Sequence, residues 1–187
     1  MPAKNSALIS RIPFSAWVFI LTFLIRLLIL SRFAGSDQFV PEGDDMKFYM
    51  DWGLRIAHGQ WTDHQAFYGL PGYAYCLAPI FMATAFNSFA VGVIVGLLQI
   101  AMDAGIATLL YQLSVLIFKG DQEASNDGRA GRWIGLASAA GWAFFTPAQT
   151  FAIVLMPTVW LVLAYYLCVW WAVKTNHSSW WKPWIGL

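Results

Sequence analysis

The sequence predicts an all-α integral membrane protein with about four transmembrane helices and short interfacial helices in its first extracytoplasmic loop. Three observations lead there. Of 187 residues, 59% are hydrophobic and 11% charged, with a mean hydropathy of +0.57, whereas soluble domains carry about 25% charged residues. The apolar residues gather into long runs, several near the roughly 20 residues that cross a bilayer as a helix. No run shows the period-two alternation of a half-buried strand.

The first run, residues 13–33, follows Lys4 and Arg11 and contains Arg26. It is long for a secretory h-region and has no small-x-small cleavage site after it, so it reads as an uncleaved signal anchor. Residues 34–86 form the expected interfacial loop. Its last part, 69–86, is apolar but interrupted by Pro71, Gly72 and Pro79, and is expected to lie in the interface or re-enter rather than cross. Residues 89–118 make a long span. A Gly/Asp/Ser-rich connector over 119–132 leads to two further expected spans, 133–146 and 151–173, separated by the breaker Thr146-Pro147-Ala148-Gln149. A polar, Trp-rich stretch follows. With a new apolar run opening at Trp184, residues 1–187 are expected to be the N-terminal part of a longer multi-spanning domain.

Lys/Arg bias sets the expected orientation. Lys4 and Arg11 place the N-terminus in the cytoplasm, so the chain is expected to be multi-pass in the cell (inner) membrane with its acidic loop outside. If 69–86 does not cross, Lys119, Arg129, Arg132, Lys174 and Lys182 all return to the cytoplasmic side. Trp133, Trp170, Trp171, Trp180, Trp181 and Trp184 then form an aromatic belt there. Nucleic acid is excluded as a partner by the lack of a basic patch. Cys76 and Cys168 fit no metal or redox spacing and are expected to be small buried hydrophobes.

The stretch with most chemical content is Glu42-Gly43-Asp44-Asp45-Met46-Lys47-Phe48-Tyr49. Six of the ten acidic residues (Asp37, Glu42, Asp44, Asp45, Asp51, Asp63) lie in this one segment between apolar runs. Charges held against a membrane are costly and tend to serve a function. Asp45 and Tyr49 are i and i+4, so they share one helix face. The structural alternative is helix capping, since acids at a helix start complement its dipole.

An ordered set of features carries a family resemblance. A first membrane helix is followed by an acidic residue four before a tyrosine, then Ala57-x-Gly59, then Phe67-Tyr68-Gly69-Leu70-Pro71-Gly72-Tyr73. A long helix with Leu97-Leu98-Gln99, Asp103-Ala104 and Leu110-Tyr111 closes the set. Together these resemble the N-terminal portion of GT-C glycosyltransferases, in the branch of bacterial protein mannosyltransferases and aminoarabinose transferases. The resemblance implies transfer of a sugar from a polyprenyl-phosphate carrier to an acceptor at the extracytoplasmic face. It implies that the acid of the first outside loop is catalytic, matching Asp45, with Asp44 as the adjacent alternative. Met46 stands where many members have a second acid, and Met156-Pro157-Thr158-Val159 lacks the acid that members often carry near their fourth span.

Such a transfer needs a base for the acceptor proton, a role suited to a carboxylate, and cationic groups for the leaving phosphate. Arg55, Arg32 and Arg26 are the candidates for phosphate, Arg for its planar fork, and Tyr49 and Tyr68 for the rest of the substrate. Each has a structural alternative: Arg55 a solvated helix face, Arg26 a pairing with Asp103 between helices, and Tyr68, Tyr73 and Tyr75 the anchoring of an interfacial helix. His58, Asp63 and His64 could be read as ligands of a divalent metal but lack a strong ligand spacing; that metal is the minor alternative, and no cofactor is expected. The expected partners are membrane lipid and the polyprenyl-phosphate-linked sugar donor; the acceptor is unknown. The competing function is a non-enzymatic scaffold or a transporter fragment. A transporter calls for paired discontinuous helices, and one interrupted segment is visible here. A scaffold offers no reason for an acidic, aromatic outside loop.

Overall fold

The computed structural model describes residues 13–62, 69–119 and 129–176. Among these are seven helices: α1 (Phe14–Phe33), α2 (Asp44–Ala57), α3 (Pro71–Ala83), α4 (Ser88–Lys119), α5 (Arg129–Phe144), α6 (Thr146–Ile153) and α7 (Thr158–Asn176), with no strand among the described residues. The chain is an all-helical membrane protein. Three stretches are long and apolar enough to cross a bilayer: Phe14–Phe33, Ser88–Phe118 and Thr158–Thr175.

Two expected spans come out differently. Over 133–146 the helix is α5, which has 16 residues and at about 1.5 Å per residue falls short of a hydrocarbon core of about 30 Å. The expected span 151–173 is broken. Its first residues belong to α6, the chain leaves helical geometry at Val154–Pro157, and α7 starts at Thr158. Pro157 causes this, because it lacks an N–H and disfavours helical geometry in the residue before it. Helix α3, with 13 residues, is also too short to cross, in keeping with its interrupted sequence.

The termini of these helices follow local chemistry. Pro71 occupies the first turn of α3, where its missing N–H costs nothing. Asn87 caps α4, its Oδ1 accepting from Ala90 N–H at 3.0 Å. Gly59, at φ +90°, ends α2 in a Schellman motif: Gly59 N–H donates to Ile56 O at 2.9 Å and Gln60 N–H to Arg55 O at 3.0 Å. The glycine of the Ala57-x-Gly59 motif is thus a helix stop. Helix α3 ends in a similar way, with Phe86 N–H on Phe81 O at 2.9 Å, but its left-handed residues are Ala85, at φ 49°, and Phe86, at φ 63°.

The chain divides into two compact units. One comprises residues 1–24, 103–145 and 162–187. Its core joins Val18, Ala107, Tyr111 and Ala139, with Val115, Leu136 and Trp142 packed against them. Helices α4 and α5 approach closely at Gly135, where a Cβ would lie 2.9 Å from the Tyr111 carbonyl oxygen; small residues permit such contacts between membrane helices. Asp103, 1% exposed, accepts a hydrogen bond from Trp142 Nε1 at 2.9 Å.

The other unit comprises residues 25–102 and 146–161. Leu30 of α1 packs on α4 at Gly96, and Phe39 from the α1–α2 connector packs on α4 at Gly92 and edge-on to Phe33 and Phe89. The larger core is built by α2 and α3, with Tyr49, Met50, Trp52, Ile56, Tyr73, Leu77 and Phe81 joined by Val91, Val95 and Leu155. Gly53 lets the two short helices touch, since a Cβ there would sit 2.7 Å from Leu77 Cβ.

Cys76 and Cys168 are free and exposed, which corrects the expectation that they are buried. Both sit on outward helix faces. On a membrane helix such as α7 an apolar side chain can be taken from water by lipid instead of by protein.

Candidate functional site

Helix α2 presents two rows of residues, and they separate the two aspartates. Asp45, Tyr49, Trp52 and Ile56 recur at i, i+4, i+7 and i+11 and so lie along one face. Tyr49, Trp52 and Ile56 are buried against α3. Asp45 continues that row by one turn and is exposed. Asp44 belongs to a different row, about 100° around the axis, with Lys47, Asp51 and Arg55. That row faces outward and holds a Lys47–Asp51 ion pair at 3.1 Å. Such an exposed pair contributes little.

The capping role considered for these acids is not the one they adopt. The cap position is Gly43, in extended geometry, and no side chain caps the helix. Asp44 and Asp45 are its first two residues, where their charge still complements the helix dipole by about 0.3–1 kcal/mol. Asp44 has φ 59°, a left-handed conformation that aspartate adopts more readily than most residues other than glycine. The carboxylate of Asp45 is exposed and accepts no hydrogen bond from a described residue.

Below Asp45 the site is fixed. The Tyr49 hydroxyl accepts from the Leu70 backbone N–H at 3.1 Å, tying the middle of α2 to the residue that opens α3. Gly69, at φ +90°, lies against Phe48 and Tyr49; a Cβ there would sit 3.0 Å from the Phe48 ring and 3.1 Å from the Tyr49 hydroxyl. Tyr49 stands edge-on to Tyr73, which stands edge-on to Trp160. The Tyr73 hydroxyl donates to Gln99 Oε1 at 2.9 Å, and Gln99 Nε2 donates to Val154 O at 2.6 Å. Gln99, fully buried, therefore joins α3 to the break between α6 and α7. Burial first, then Tyr49 and Cys76, push the Tyr73 phenol well above its ordinary range and keep it a neutral donor.

Comparisons with protein-family models, with curated proteins and with solved structures find no match. The resemblance to GT-C transferases therefore rests on the sequence motifs, and the geometry has to be read on its own terms.

The remaining candidates do not gather around Asp45. Arg55 is exposed on the outward row of α2, ten residues or about 15 Å along the axis from Asp45. Arg32 is exposed in the last turn of α1. Arg26 has no exposed surface, so it is enclosed by protein. Tyr68, Asp63 and His64 lie outside the described residues. His58 Nδ1 donates to the Leu54 carbonyl at 2.8 Å, and its ring stacks on Phe86 at 4.6 Å.

Tyr73, weighed in the sequence as an interfacial anchor, is a core residue at 4% exposure. Tyr75 is exposed instead and donates to the Trp61 carbonyl. The contribution of Gln99 was not visible in the sequence, because its partners are 26 and 55 residues away. A glutamine inside an apolar run is nevertheless a signal, since a buried amide requires partners.

Proposed function

We propose that the protein is a membrane glycosyltransferase that moves a sugar from a polyprenyl-phosphate carrier to an acceptor at the extracytoplasmic face, with Asp45 as general base. Asp45 takes the proton of the acceptor hydroxyl or amine as that group attacks the anomeric carbon. The bond from that carbon to the carrier phosphate oxygen breaks, and polyprenyl phosphate leaves with the bonding pair. The displacement inverts the anomeric centre. Arg32, exposed at the end of α1, is the arginine best suited to attract the carrier phosphate. The cytoplasmic N-terminus and the extracytoplasmic place of the acidic loop are part of the same proposal.

The observation that carries this reading is the register of α2. It sets Asp45 at the end of a buried aromatic row, while Asp44 lies on a neighbouring, outward row. The resemblance in sequence supports the choice of substrate class. The test is transfer of labelled sugar from polyprenyl-phosphate donors in membranes carrying the protein, compared with Asp45→Asn and Asp44→Asn. Loss of transfer in Asp45→Asn alone, at unchanged protein level, supports the assignment. Equal activity of wild type and Asp45→Asn refutes it. If the wild type transfers no sugar while remaining folded in the membrane, the scaffold reading takes its place.

A further inference from the structure

A cavity of about 240 Å³ opens at the start of α1, lined by Phe14, Arg132, Trp133 and Leu136. Its composition is that of a lipid site. Phe14 is the first residue of an apolar helix long enough to cross the membrane, so the cavity lies at the depth where hydrocarbon gives way to headgroups. Leu136 supplies an apolar wall and packs against the core of its unit. Trp133 is 69% exposed, and tryptophan favours the interface. Arg132 is exposed and brings a planar guanidinium with five donors, the shape that binds phosphate in two-point fashion.

In the sequence Lys4 and Arg11 precede α1, and Lys119 and Arg129 flank the connector before Arg132. Clusters of this kind next to spans attract anionic lipid. A soluble phosphate would have no use for three apolar walls, and in a zwitterionic lipid the headgroup cation offsets the phosphate charge that Arg132 would otherwise attract in full. We infer that this cavity binds an anionic phospholipid of the surrounding bilayer, its phosphate on Arg132 and the upper part of an acyl chain against Phe14, Trp133 and Leu136. The site is independent of Asp45 and of the proposed transfer.

The test uses the purified whole protein in detergent, supplied with phosphatidylglycerol or phosphatidylcholine, with retained lipid counted by native mass spectrometry. The wild type should retain phosphatidylglycerol over phosphatidylcholine. Arg132→Gln should lower phosphatidylglycerol retention by about fivefold, the worth of one arginine near an anionic surface, with Arg132→Lys in between. Trp133→Ala, at an exposed position tolerant of change, should lower retention of both lipids. Helicity by circular dichroism and elution volume confirm that each variant is folded. Unchanged retention in Arg132→Gln overturns the inference. So does displacement of the lipid by millimolar inorganic phosphate, which would mark a simple anion site.

Discussion

The Tyr49 hydroxyl accepts a hydrogen bond from the Leu70 backbone N–H at 3.1 Å, and through it the helix carrying Asp45 is fastened to the helix it packs on. The bond spans 21 residues of chain, yet it sits one helical turn from Asp45. Tyr49 is 6% exposed, so its ring anchors the core while its oxygen holds the start of α3.

Tyr49→Phe removes this acceptor and leaves the ring in place. The expected loss is about 1 kcal/mol, the net worth of one such bond, read as a lower midpoint in thermal or detergent-induced unfolding. If transferase activity is present, it should fall through a less rigid Asp45 with protein level unchanged. No change in midpoint would show that Leu70 finds water at no cost.

Ala85 ends α3 in a left-handed conformation that glycine adopts freely. Ala85→Gly should stabilise the protein by about 0.5–1 kcal/mol, because the left-handed geometry is then reached without the steric cost of a Cβ. The same unfolding assay reads the gain. A loss of stability would mean that the alanine methyl is needed for packing.

Tyr73 gives a pH dependence. An ordinary tyrosine ionises near pH 10, and burial raises Tyr73 above that. Folded protein therefore keeps a proton that the unfolded chain releases. Stability from this group is complete below about pH 10 and declines as pH rises further. Midpoints measured between pH 8 and pH 11 should fall at the alkaline end. Tyr73→Phe should be less stable throughout, because Gln99 loses its donor, and should show a flatter decline. Parallel curves would contradict the assignment.

Much of this fold can be read in the sequence because length and apolarity dominate it. Helices α1, α4 and α7 announce themselves by long runs free of charge clusters, and α3 is marked as short by Pro71 and Pro79. The break before α7 was also written in the chain, at Pro157, but the apolar residues on both sides masked it. In a membrane protein hydropathy says where helix is tolerated and says little about where it stops. The end of α3 was hidden for a related reason: Ala85 takes a role in which glycine is the usual signal.

The acidic start of α2 was legible, and so was the shared face of Asp45 and Tyr49. That Asp44 lies on a different row follows from the same helical period. The depth of Arg26 and Asp103 inside protein was legible from the cost of charge in hydrocarbon, and both are buried. The Gln99 junction was not, since it depends on contacts between distant segments and not on any local pattern.

The most direct measurement is the initial rate of labelled-sugar transfer from a polyprenyl-phosphate donor by the whole gene product in membranes, wild type against Asp45→Asn. A general base commonly contributes 10²–10⁴-fold. The expected result is a loss of roughly that size in Asp45→Asn, with Asp44→Asn near wild type and all three proteins equally abundant. Transfer by Asp45→Asn at the wild-type rate would contradict the account.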